Sequence, residues 1–129
     1  MRRDMDLIRA IMLKLEQMPR KQGILEQLLP GEGGMVFDGF SPGEVAYHLE
    51  LILESGFLVT HGTMMSGEIL FDRLSVAGHD FVDSVRSPEV WAKTKKGAEA
   101  AGGFTVDLLK DLAKGFIRKQ IEDMTGVKI

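Results

Sequence analysis

Three observations place this sequence in the α+β class, mainly α. Apolar residues recur at three- and four-residue spacing in five segments, two apolar runs flank a Gly-rich turn, and a glycine joins the second helical segment to that hairpin. The resulting order is helix, short strand, helix, strand, turn, strand, helix. It is the order of a winged helix-turn-helix-like domain, expected over residues 1–86, with a two-helix extension over 87–129 that packs on it or on a second subunit.

The first helix carries Leu7, Ile8, Ile11, Leu15 and Met18 on one face, with Asp4 as its N-cap and Pro19 as its stop. Residues 19–40 are less periodic. Ile24-Leu25 and Leu28-Leu29 suggest one short helical turn before Pro30, Gly31-Glu32-Gly33-Gly34 reads as a loop, and Met35-Val36-Phe37 as a short strand. Ser41-Pro42-Gly43-Glu44 then offers a capping serine, proline at the first helical position and a glutamate at the third, which together form a capping box. Val45, Leu49, Ile52 and Leu53 form the buried stripe of this second helix, and Gly56 closes it.

Phe57 to His61 reads as a strand, Gly62 to Gly67 as the turn, and Glu68 to Leu74 as the returning strand. Ser75 caps a third helix with Phe81, Val82 and Val85 inward. Ser87-Pro88-Glu89 starts a fourth, containing Val90 and Trp91, which ends at Ala101-Gly102-Gly103. Thr105 caps a fifth, whose stripe runs through Leu108, Leu109, Leu112, Phe116, Ile117, Ile121 and Met124 before Gly126 ends it.

Several function classes are set aside by composition. With no cysteine in 129 residues there is no disulfide framework, thiol nucleophile or Cys-based zinc site. No apolar run approaches the roughly 20 residues of a membrane span, and Asp4, Asp6 and Arg9 interrupt what would be a leader, so a soluble, cytoplasmic protein is expected. The net charge of −3 hides an asymmetry: residues 1–37 sum to +1, 38–89 to −7 and 90–129 to +3. The acidic middle contains the expected recognition helix and the wing.

Met1-Arg2-Arg3-Asp4-Met5-Asp6-Leu7-Ile8-Arg9, Tyr47-His48-Leu49, Arg73-Leu74-Ser75, Gly78-His79-Asp80-Phe81-Val82-Asp83 and Val90-Trp91 resemble, over most of residues 1–116, a family of small uncharacterised bacterial and phage proteins. Val76 stands where the family pattern has a tryptophan, and the stretch 19–40 is longer than in that pattern. The resemblance implies a winged-helix-like fold with a helical C-terminal extension. It brings no activity with it.

Two functional readings follow. In the first, the protein is a DNA-associated, transcriptional-regulator-like homodimer. Arg2, Arg3, Arg9, Lys93, Lys95 and Lys96 are then the phosphate contacts, because the outer face of the second helix has carboxylates and no Lys or Arg. In the second, the fold is kept as a protein-interaction module. Its partner face is Glu44, Tyr47, His48, Leu51 and Glu54, and its wing, Thr63, Met64, Met65 and Ser66, contributes soft apolar contacts. In either reading Trp91, Leu109, Leu112 and Phe116 are the expected dimer interface. His48, His61 and His79 lack the spacing of a metal site, and His79 is expected to bond Asp83 one turn on. No catalytic constellation, cofactor motif or small-molecule substrate site is visible, so a non-catalytic protein is expected.

Overall fold

The computed structural model describes residues 1–103 and 105–128, the side chains of Val106, Leu109 and Lys110 excepted. The described residues form α1 (Met5–Gln17), β1 (Glu26–Leu28), α2 (Pro42–Glu54), β2 (Leu58–Thr63), β3 (Ile69–Leu74), α3 (Val76–Val85), α4 (Pro88–Ala100) and α5 (Val106–Thr125). This is an α+β protein with a small three-stranded antiparallel sheet. The chain divides into two compact units, Met1–Val82 and Asp83–Ile129.

In the first unit, α1 starts where the Asp4 carboxylate accepts from the N–H groups of Asp6 (2.9 Å) and Leu7 (3.2 Å). Leu7, Ile8, Ile11, Met12 and Leu15 are buried. The helix ends at Met18, which is extended because the ring of Pro19 excludes the α conformation from its predecessor.

The first strand is not where the residue pattern puts it. Glu26, Gln27 and Leu28 pair antiparallel with Phe71, Leu70 and Ile69, so the expected helical turn at 24–29 is replaced by β1. Met35-Val36-Phe37 makes no strand. Met35 is instead held by a local turn, donating to Glu32 O (3.0 Å) and accepting from Gly31 N–H (3.1 Å), and its side chain is buried. The free edge of β3 decides the matter: it lends Leu28 a buried position and a set of backbone partners, which local propensity cannot weigh.

The capping box at α2 is complete. Ser41 Oγ accepts from Glu44 N–H (3.2 Å) while the Glu44 carboxylate accepts from Ser41 N–H (3.1 Å). β2 and β3 form the hairpin, with a register shift between Val59 and Thr60 and another before Thr63, and the strand order is β1-β3-β2. Beyond β3, Ser75 ties the next helix to the α2–β2 junction: its N–H donates to Phe57 O (2.9 Å) and its hydroxyl to Gly56 O (2.5 Å), while Gly78 N–H donates to the hydroxyl (3.1 Å). The Phe57 and Phe81 rings stack with centroids 5.0 Å apart. Gly78 lies so close to the Phe57 carbonyl that a Cβ would overlap its oxygen and stand 3.0 Å from its carbon.

The second unit pairs α4 with α5. Ser87 and Thr105 cap the two helices through Val90 N–H (3.3 Å) and Leu108 N–H (3.1 Å). Gly97 brings the helices together, with its Cβ position 3.2 Å from a methyl of Leu112. Ala98 and Ala113 are fully buried. No helix among the described residues is long and apolar enough to cross a membrane.

Candidate functional site

The α2 residues that do not enter the core build a groove. Gly43, Ala46, Glu50 and Leu53 recur at three- and four-residue intervals beside the buried Val45, Leu49 and Ile52, so with Pro42 at the first turn they form the next stripe round the helix. Opposite them stand Leu29 and Pro30 from the loop after β1, and Thr63, Ser66, Gly67 and Ile69 from the hairpin. Together they enclose about 490 Å³. Leu49 and Ile69, both buried, belong to the core side of the lining, and Gly43 and Ala46 leave room because their side chains are small or absent. Glu50 is the one charged side chain in this lining. No Lys or Arg occurs anywhere from residue 22 to residue 72.

One wall of the groove is clamped. Gly31 has φ +85°, a left-handed conformation suited to glycine, and a Cβ there would come within 2.7 Å of the Pro42 ring. The loop that carries Leu29 and Pro30 is thus seated on the first turn of α2.

The expected partner face is redistributed. Glu44 is engaged in the capping box, Tyr47 and Leu51 are half-buried, and Glu54 is exposed. His48 is not on a partner face at all; it is only 1% exposed. Its Nε2 accepts from Asp4 N–H (2.8 Å) and its Nδ1 lies 2.7 Å from Glu44 O. The Asp4 amide is a donor only, so Nε2 carries no proton and Nδ1–H donates to the helix carbonyl. A neutral imidazole with both nitrogens paired buries at little cost, which is why the ring enters the stripe between Val45 and Ile52. Tyr47 sits edge-on to it, with centroids 5.6 Å apart.

In the wing, Thr63, Met64, Met65 and Ser66 are all exposed, Met65 fully, and the tip is closed by Met64 N–H to Glu68 O (2.7 Å). Thr63 and Ser66 face the groove, whereas the two methionines are not part of its lining.

The basic residues fall in both units. Arg2 and Arg3 are exposed ahead of α1. Arg9 is half-buried, and burial pushes its guanidinium below its ordinary value, with Asp6 acting in the opposite sense. On α4, Lys93 and Lys96 are exposed and Lys95 is half-buried. The expected dimer residues are largely committed within one chain. Trp91 is buried, Leu112 packs at Gly97, Phe116 is half-buried, and the Leu109 side chain lies outside the described residues.

Asp72 on β3 holds a cluster that residue spacing does not reveal. Its carboxylate accepts from Arg20 Nε (2.9 Å) and lies 3.3 Å from His61 Nε2, which straps the segment after α1 to the hairpin. The Arg20 hydrogen bond first, and the His61 bond second, hold the Asp72 carboxyl below its ordinary 3.8. A depressed carboxyl pKa stabilises the fold at pH values above the ordinary one and loses that contribution as pH falls through the folded value. Urea midpoints measured between about pH 5 and about pH 2 should therefore fall more steeply for the wild type than for Asp72→Asn, and equal slopes would refute the strap.

Asp83 pairs with Arg86 (2.7 Å), so the expected bond to His79 is replaced. No group of three or more His, Asp or Glu among the described residues is arranged to hold a metal ion. The groove was missed because Leu29, Pro30 and Ile69 come from segments distant in sequence. The available signal was the small pair Gly43 and Ala46 beside Glu50 and Leu53.

A family model described as Hypothetical protein (DUF2513) matches residues 2–104. An uncharacterized protein of Haemophilus influenzae (strain ATCC 51907 / DSM 11121 / KW20 / Rd) is 29% identical over 124 residues, covering 94% of this chain and 99% of the relative. No solved structure matches.

Proposed function

We propose, for a chain that belongs to the DUF2513 family, that its first unit is a winged-helix-type domain used as a protein-interaction module. The α2–hairpin groove takes an apolar side chain of a partner segment that also carries Lys or Arg. The observation behind this reading is the groove itself: its lining is mainly apolar, its one charge is Glu50, and the chain from 22 to 72 supplies no Lys or Arg. A phosphate backbone draws most of its affinity from cations, whereas an apolar pocket with a carboxylate rim suits a basic, partly apolar peptide. The strand order β1-β3-β2, with a helix directly before the β2–β3 hairpin, supports the winged-helix part of the reading.

The test is selection of displayed random peptides on the wild-type protein, with Ala46→Trp, which fills the groove, as the comparison. Selected peptides should combine an apolar anchor with Lys or Arg, and their affinity should fall at least about tenfold on the Ala46→Trp protein. Peptides that bind both proteins equally, or no binders at all, would refute the groove.

Association with DNA is the second reading. It is favoured by the same element order and by exposed cations at Arg2, Lys93 and Lys96. Here duplex DNA binds at low salt, and the affinity falls steeply in a salt titration, with a slope set by the number of phosphates contacted. Absence of low-salt binding removes this reading.

A further inference from the structure

His48 is the one titratable side chain among the described residues that lies in the core, and it joins the starts of two helices. Its Nδ1–H donates to Glu44 O (2.7 Å) in the first turn of α2, and its Nε2 accepts from Asp4 N–H (2.8 Å) at the N-cap of α1. Asp4 also serves α1 itself. Its carboxylate accepts from Asp6 and Leu7 N–H, and its carbonyl accepts from Ile8 N–H (3.1 Å). The amide is the point at which this cap is fastened to α2.

The fastening needs a lone pair on Nε2. Nδ1 already carries a proton, so a proton from solvent can add only at Nε2. The charged ring then donates at both nitrogens, and it faces the Asp4 N–H donor with a second donor. It is also a charge in a site closed to water, which is costly without a counter-charge. The groups around it supply none. The Asp4 carboxylate is turned to the amides of α1 and the Glu44 carboxylate to Ser41 N–H, while Tyr47, uncharged, stands at 83° to the ring.

We propose that His48 is an acid-operated latch. The neutral ring holds the cap and first turn of α1 on α2, and protonation at Nε2 releases them and uncovers Met5, which is buried in the latched form. The latched form excludes the proton and the released form accepts it, so the latch holds at neutral pH and is lost as pH falls. In the released form the ring is an ordinary imidazole, which charges near about pH 6.5. A latched form that takes no proton therefore gives a released fraction that rises about thirtyfold between about pH 7.5 and about pH 5. The latch is independent of the groove.

Amide exchange of the full chain, corrected for the intrinsic pH dependence of exchange, tests this. Protection at Asp4, Asp6 and Leu7 should fall about thirtyfold between about pH 7.5 and about pH 5, in step with the titration of the His48 ring signals, while Ile52 inside α2 changes less than about threefold. His48→Gln keeps an acceptor for the Asp4 amide and takes up no proton, so its three amides should be insensitive to pH over this range. His61→Gln and His79→Gln remove the two exposed imidazoles and should leave the wild-type response intact. A wild type whose protection is unchanged at about pH 5, a ring that charges while the three amides stay protected, a loss spread equally through α2, or a folded His48→Gln protein that responds like the wild type overturns the proposal. The ring titration and the three amides of the wild type decide it even where the Gln variant does not fold.

Discussion

Gly78→Ala should destabilise the first unit by about 3 kcal/mol, at the upper end of the usual cost of overpacking. The added methyl would overlap the Phe57 carbonyl oxygen, and the obstacle is backbone rather than the end of a flexible side chain. Relief requires moving that carbonyl, which also accepts the Ser75 N–H at 2.9 Å, or lifting α3 away from the α2–β2 junction. Lifting α3 would separate the stacked Phe57 and Phe81 rings, so neither escape is cheap. Chemical denaturation followed by circular dichroism measures the loss. A Gly78→Ala protein within about 0.5 kcal/mol of the wild type would mean that the approach of α3 to Phe57 is wrong.

His48→Phe should cost about 2–3 kcal/mol, because a side chain of similar size fills the space and leaves the Asp4 N–H with no acceptor. The second bond, to Glu44 O, is lost as well, though that carbonyl lies inside α2. His48→Gln offers an amide oxygen to the same donor and should recover about half of the loss. A purely steric role predicts the reverse order, with Phe tolerated better than Gln. Equilibrium unfolding of both variants distinguishes the two. Because Asp4 also caps α1, the Phe variant should fray the first turn of that helix, which amide exchange at Asp6 and Leu7 would register.

The features legible in the sequence were those decided by a few neighbouring residues. Ser41, Pro42 and Glu44 announce the start of α2, and Asp4, Ser75, Ser87 and Thr105 each bond a backbone N–H two or three residues on, because a cap is a local device. The hairpin was legible for a similar reason, as two apolar runs about a Gly-rich turn. β1 was not. Its three residues have ordinary propensity and become a strand because β3 offers them an edge, while the more strand-like Met35-Val36-Phe37 follows a turn in which Met35 bonds Gly31 and Glu32. His48 was misread because polarity suggested a border position, and the two acceptor and donor atoms that make its burial inexpensive lie on Asp4 and Glu44. Likewise the groove needs Leu29 and Ile69 to meet α2, a convergence that depends on the tertiary fold.

The seat of Gly31 on Pro42 bears on how quickly and how selectively the groove could be filled. A wall that is already in place has little freedom left to lose, so an incoming side chain meets a rigid mould and most of its contact energy is kept as affinity. Association should then proceed without a slow rearrangement step, and related partners should differ in how long they stay rather than in how fast they arrive. A rigid mould also discriminates by size. The loop rests against the Pro42 ring at the first turn of a helix held by its capping box, so a longer anchor finds the groove already bounded at that end.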